Sequence, residues 1–236
     1  MHRIALLAPM PSELRPLLRP LSLRQEASGA GALYRGALGR AEVVAALTGV
    51  GTAAAARATE RVLDAGPVDH LLVVGVAGGI GPGVRVGDAI LPERVVDLAS
   101  GASFRPALLG RGTPRGTLLT SDRLLVDRAE LARLADPASF GAIAVDMETS
   151  AVAAVCERRG CPWSVFRAIS DRADDGSVDA AVAALARPDG SPDLPAAVRL
   201  VLREPWRVPQ LVRLGRGLSR ATRAAAAAAL RALGEH

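Results

Sequence analysis

Lysine is absent from this 236-residue chain, and arginine carries all 29 of its basic side-chain charges. With the alanine content, that is a mark of GC-rich codon usage rather than of function. Aromatics make up only 3% of the residues, and no basic stripe with interleaved aromatics appears. The net charge of +5 and pI near 10.6 therefore do not identify a nucleic-acid binder, and no nucleic-acid partner is expected. Much of the positive charge lies after Arg199, where Arg203, Arg207, Arg213, Arg216, Arg220, Arg223 and Arg231 outnumber Glu204 and Glu235. The two cysteines, Cys156 and Cys161, lack metal-ligand or redox spacing, and the three histidines lie elsewhere. They are expected as small buried residues in a reducing compartment, and neither a metal nor a cofactor is expected. No run is long and apolar enough to span a bilayer. No cleavage site follows the apolar opening MHRIALLAPM, which reads as a first strand, and the protein is expected to be cytoplasmic.

What is present is apolar: half of the residues are hydrophobic, enough for a large core. RIALLAP is a buried-strand run, and SELRPLLRPL begins a helix with Ser12 as its expected cap. ALYRGALGRAEVVAALTG reads as a hairpin, and GTAAAARATERVLDAG as a helix closed by Gly66. DHLLVVGVAGGIG is a strand running into a glycine-rich loop, followed by a strand region in GDAILPERVVDL and a Gly/Pro-rich loop from Ser100 to Arg115. GTLLTSD, GAIAV and PWSVFRAISD are further strands; DRAELARLAD, the stretch after DMET, and GSVDAAVAALA are helices. This alternation predicts an α/β fold with a mixed, mostly parallel central sheet flanked by helices. A catalytic domain is expected over 1–186, and over 187–236 a linker with a basic helical C-terminal extension broken near Pro205 and Pro209.

Sites in such sheets gather where strands end. Four ends here carry polar or glycine residues: Glu13, the GVAGGIG loop, DMET and SDRAD. Each alone has a structural explanation. An acid in a helix's first turn gains under about 1 kcal/mol from the dipole, which would account for Glu13 or Asp146. The glycines suit a tight turn, lacking the full dinucleotide fingerprint, and Asp171 suits a cap.

Together, LLAPMPSEL, LTGVGTAAAA, VVGVAGGIGPGVRVGD, AVDMETSAVA and VFRAISDRAD resemble, in order, the motifs of the nucleoside phosphorylase and nucleosidase family. The resemblance covers residues 1 to 185 and is nearest to methylthioadenosine/S-adenosylhomocysteine nucleosidases. It implies roles for matching residues. Glu13 would position and activate the attacking water, Glu148 would hold the ribose hydroxyls, and Met147 would pack under the sugar. Asp171, after Ser170, would serve the purine N7. Ala77 and Gly78 would border base and sugar, Leu124 and Leu125 would flank the purine, and Asp146 would cap its helix while its backbone meets the ligand.

The resemblance implies hydrolytic release of adenine from a 5′-substituted adenine nucleoside. Phosphorylases of this fold hold phosphate with arginines, one of them just before the glycine loop, where this chain has Val73 and Val74; a hydroxyl residue is common where it has Val76. Water is thus expected over phosphate, with phosphorolysis the rival reaction. The segment SGASFRPALLGRGTPRG is too short for the family's closure over the 5′ tail. With the basic amphipathic stretch LREPWRVPQLVRLGRGL, that also resembles the hopanoid-associated branch, which removes adenine from adenosylhopane. A surface helix lying on a membrane, a helix packing on its own domain or on a dimer partner, and a non-catalytic nucleoside-binding protein stand as alternatives. The family resemblance implies a homodimer.

Overall fold

The computed structural model describes residues 3–26, 31–176, 178–185 and 193–235. In chain order the elements are β1 (Arg3–Ala8), α1 (Pro11–Leu18), β2 (Arg24–Gln25), β3 (Leu33–Leu38), β4 (Ala41–Leu47), α2 (Thr52–Asp64), β5 (His70–Gly79), β6 (Ala89–Ile90), β7 (Arg94–Asp97), β8 (Ser103–Phe104) and β9 (Thr117–Thr120). They continue with α3 (Arg128–Ala135), β10 (Ala142–Asp146), α4 (Thr149–Arg159), β11 (Trp163–Arg172), α5 (Ala180–Ala183), α6 (Leu194–Arg203), a 3₁₀ turn (Pro205–Arg207) and α7 (Val208–Gly234).

One mixed sheet runs β2-β3-β4-β1-β5-β10-β9-β7-β8, with β11 pairing β5 and β6. Its long central ladders, β4–β1, β1–β5 and β5–β11, are parallel. Helices cover both faces, so the central strands are apolar on both sides and alternate between two cores. Ile4, Leu6, Leu72, Val74, Phe166 and Ala168 face one core; Ala5, Leu7, Leu71, Val73, Val165 and Ile169 face the other. The expected α/β architecture, including the β3–β4 hairpin, is the one observed.

Four local expectations change. Met10, not Ser12, is the N-cap of α1, and Glu13 in the first turn caps the Met10 N–H with its own carboxylate (2.8 Å). The glycine-rich stretch is not a loop. β5 runs through Gly79, and its end leaves β1 to pair antiparallel with β10 at Gly78 and Gly79. Glycine is needed where that end is crowded: a side chain on Gly81 would meet the Ile143 backbone. The Ser100–Arg115 segment contains the short strand β8, paired to β7. In GSVDAAVAALA the described residues form only the one-turn helix α5, and most of the linker lies outside the described residues.

The C-terminal helices break at Pro205, while Pro209 sits in the first turn of α7, where its missing N–H has no partner to lose. α7 is no free appendage. Ala221, Ala225, Ala229 and Ala232 recur at helical spacing, are buried, and form a wall of the first core. Small side chains let the helix lie close on β11. At Gly217 even a methyl group would overlap the carbonyl oxygen of Ser170. The helix after the expected domain boundary therefore supports the strand end that carries Asp171.

Candidate active site

Strand ends, helix starts and the turn before α3 surround a cavity of about 240 Å³. Every residue singled out from the sequence lines it: Glu13, Ala77, Gly78, Leu124, Leu125, Asp146, Met147, Glu148, Ser170 and Asp171. Leu125 is buried, whereas Leu124 is 45% exposed and forms the outer rim.

The centre of the site was not singled out from the sequence. Arg167 lies in mid-β11 and is fully buried. Period-two alternation puts it on the face of Val165 and Ile169, where a guanidinium is tolerable only if paired. Its Nη2 meets Asp146 Oδ2 at 2.6 Å and Glu148 Oε2 at 3.0 Å; its Nη1 lies 3.8 Å from Glu13 Oε1 and donates to the Val76 carbonyl at 3.2 Å. Nε and Nη2 also reach Thr149 Oγ1. Burial works against this charge, but Asp146, Glu148 and Glu13 outweigh it and hold the pKa above the usual arginine value. The signal was legible in outline: a lone arginine inside WSVFRAIS is a buried charge that needs partners.

Gly75 makes this approach sterically feasible, because a Cβ there would overlap both Glu13 Oε1 and Arg167 Nη1. Glu13 is itself fully enclosed. The Val76 N–H donates to its Oε1 at 2.7 Å and the Met10 N–H to its Oε2 at 2.8 Å. Val76 thus serves through its backbone, and its apolar side chain leaves both bonds intact. Burial pushes Glu13 up from 4.5 to about 7, against the lowering influence of Arg167. Because the folded pKa is raised, the associated stability is fully present below pH 4.5 and is lost as pH rises through about 7, an effect of about 3 kcal/mol. Glu13→Gln is therefore expected to gain stability relative to the native protein between pH 5 and pH 8, read from urea midpoints. An unchanged difference at the two pH values would mean that Glu13 titrates normally.

Glu148 caps α4 by position and receives the Gly51 N–H at the start of α2 (3.2 Å), so a helix N-terminus points at it. Burial raises its pKa; Arg167 opposes, and Asp146 adds to the rise. Asp146, also placed among ligand contacts by the resemblance, has both side-chain oxygens taken by the protein. Thr120 Oγ1 donates to Oδ1 at 2.7 Å, and Thr149 Oγ1 and Arg167 hold Oδ2. Its carboxylate anchors Arg167 and the first turn of α4, and its backbone carbonyl accepts the Ser121 N–H at 2.9 Å, so both are committed to the fold.

Asp171 owes its aim to a β-bulge. Ile169 pairs with Ala77 and Asp171 with Gly78, so Ser170 is the extra residue and the alternation resets. The Ser170 hydroxyl donates to Asp171 Oδ1 at 2.5 Å, and Oδ2 faces Gly78. Burial raises the pKa of Asp171, with Ser170 opposing and Asp175 adding to the rise. Among the described residues, no group of three or more His, Cys, Asp or Glu is placed to hold a metal ion.

Two cations line the cavity, Arg123 and Arg172, and they are engaged with Glu130 and with Asp174 at 2.7 Å; Arg167 lies behind the wall. No residue of 99–116 lines it. That segment is instead pinned to β11 and to the end of α7, through Ala107 N to Trp163 O (2.8 Å), Ser164 Oγ to Ala107 O (2.6 Å) and Arg111 N to Glu235 Oε2 (2.8 Å).

Comparison with known proteins agrees with this geometry. The family model described as the phosphorylase superfamily matches residues 3–110 and 107–187. A 5′-methylthioadenosine/S-adenosylhomocysteine nucleosidase of Chromohalobacter salexigens is 31% identical over 202 residues, covering 72% of this chain and 85% of that protein. Two Helicobacter pylori structures superpose with TM-scores of 0.75 at 18% identity. One is a mutant MTAN with 5′-methylthioadenosine in its active site, covering 100% of both chains. The other is a futalosine hydrolase, covering 100% of this chain and 98% of its own. The chain belongs to the phosphorylase superfamily, among its members resembling 5′-methylthioadenosine/S-adenosylhomocysteine nucleosidases.

Proposed function

We infer that the protein hydrolyses the N-glycosidic bond of a 5′-substituted adenine nucleoside and releases adenine. One observation carries the choice of water: the buried centre of the site holds three acids around one arginine, so its charge is already negative. A phosphate dianion would face Glu13 and Glu148 without a free guanidinium to receive it. Water meets no such repulsion.

In this reading Glu13, ionised, takes a proton from water as its oxygen bonds to C1′. The C1′–N9 bond breaks, and Asp171, protonated, passes its proton to N7 so that adenine leaves neutral. Glu148 accepts from the ribose hydroxyls with the lone pairs that Gly51 and Arg167 leave, and its charge favours the cationic sugar. Met147 packs against the sugar, while Ala77, Gly78, Leu124 and Leu125 flank base and ribose. A base near pKa 7 suits neutral pH: kcat/KM is expected to rise through about pH 7 as Glu13 ionises, and to fall when Asp171 loses its proton.

The test is incubation with methylthioadenosine, S-adenosylhomocysteine, adenosine and a lipid-linked adenosine, with and without phosphate, following free adenine and free ribose sugar. Adenine release at full rate without phosphate is expected. Release only with phosphate, yielding a sugar 1-phosphate, would replace hydrolysis by phosphorolysis, and binding without release would leave a nucleoside-binding protein. A second reading, adenine release from a lipid nucleoside such as adenosylhopane, draws support from the rim. There Leu124 and Val126 are exposed and the 99–116 segment is tied away from the cavity. Faster turnover of the lipid-linked substrate would select it. A cytoplasmic homodimer with peripheral membrane contact completes this proposal, with the catalytic residues inside 1–186 and α7 part of the same folded unit.

A further inference from the structure

No helix among the described residues is long and apolar enough to cross a membrane. Yet the surface formed by α6, the 3₁₀ turn and the start of α7 is apolar where solvent should meet it. Leu202 is 79% exposed, Trp206 69% and Val198 58%, and Val208 and Val212 extend the ridge. Val198 and Leu202 are four apart on α6, as are Val208 and Val212 on α7, and Trp206 lies in the turn between the two helices. Exposed leucine and tryptophan in one ridge differ from the isolated apolar residues that any surface shows.

Arginines border the ridge. Arg199 and Arg203 lie on α6; Arg213, Arg216, Arg220 and Arg223 run along the solvent side of α7. None of these six has an ion pair among the described residues, unlike Arg207, which is bound to Asp179 and Glu204. We propose that this ridge docks the protein on an anionic lipid surface, with Leu202 and Trp206 entering the interface and the unpaired arginines meeting the headgroups. The observations favour that occupant over two others. A second copy joined by a two-fold would meet the arginine row with acids such as Asp179 and Glu204 that Arg207 already holds. A nucleic acid would use the arginines but leave the aliphatic ridge in water. An amphipathic helix with a cationic border suits an interface that is apolar inside and negative outside.

The ridge is fastened to the cavity wall. Arg207 Nη1 meets Asp179 Oδ2 at 2.6 Å, and Gln210 Nε2 donates to the Gly176 carbonyl at 3.0 Å, which ties the start of α7 to the segment carrying the cavity-lining Val178. Docking would therefore place the membrane beside the exposed rim residues Leu124 and Val126 and hold the active site near it. This deepens the peripheral-membrane part of the proposed function but does not depend on the chemistry.

The experiment is flotation of the full chain with vesicles of phosphatidylcholine alone or with 40% phosphatidylglycerol, at about 0.05 and 0.5 M salt. Binding is expected to the anionic vesicles only, with a partition coefficient at least about tenfold lower in high salt. Leu202→Asp with Trp206→Asp is expected to lower it a further tenfold or more, while turnover of a soluble nucleoside without vesicles is unchanged. Absence of binding to anionic vesicles, or equal binding by the double variant, overturns the proposal. So does a dimer that dissociates in that variant, which would give the ridge to a second copy. Because the nucleoside assay contains no lipid, failure of the membrane proposal and failure of the hydrolase reading are separately visible.

Discussion

Asp171→Asn is expected to lower kcat for adenine release by about 100- to 10,000-fold while KM stays within a few-fold. The amide keeps the size of the side chain, can still accept from Ser170 Oγ, and can still offer an N–H to a purine nitrogen. What it cannot do is give up a proton, so adenine would have to leave as an anion. The fold should survive, because Asp171 lines the cavity rather than the core, and the far-ultraviolet spectrum and thermal midpoint should stay near native. Retention of the native kcat would remove Asp171 from the proton-transfer role, whatever its position. A loss confined to KM would make it a binding group only.

Arg167→Met is the substitution expected to harm stability most, by about 3–5 kcal/mol. It removes the one cation among Glu13, Asp146 and Glu148, and methionine fills much of the same space, so the loss isolates charge rather than volume. For a chain of this length that is a fall in thermal midpoint of roughly 10 °C. Two further measurements separate this cause from a simple packing defect. The deficit should shrink at pH 5, below the raised pKa of Glu13, about 7, where that acid binds a proton in the folded state. It should also shrink when Glu148→Gln is added, since one stranded charge is gone. A deficit that is the same at pH 5 and pH 8 would show that the arginine acts through packing alone.

Much of the fold was readable because its cause is local. Apolar runs such as RIALLA and HLLVV are buried on both faces and must be central strands, and small alanines at helical spacing mark α2 and α7. Met147, Glu148 and Asp171 were readable because strand ends in such sheets face a common side. Other features depend on neighbours distant in sequence. Ser12 looks like a cap, but Met10 is the N-cap, and Glu13 in the first turn accepts from the Met10 N–H while its other oxygen takes the Val76 N–H on β5. The glycine run reads as a loop, but Gly78 and Gly79 keep strand geometry because β10 and β11 pair with them. The bulge at Ser170 is set by register against β5, which no local pattern records.

The order of apolar runs, glycines and acids in this chain suffices to specify a covered α/β sheet with three carboxylates at its strand ends, because periodicity and strand polarity are properties of the chain alone. Whether those acids meet one arginine, whether any cation is left for phosphate, and whether the C-terminal helix packs or projects depend on partners far apart in sequence, such as Glu13 and Arg167, 154 residues apart. Coulomb energy and burial are set by distance in space, and only folding creates those distances.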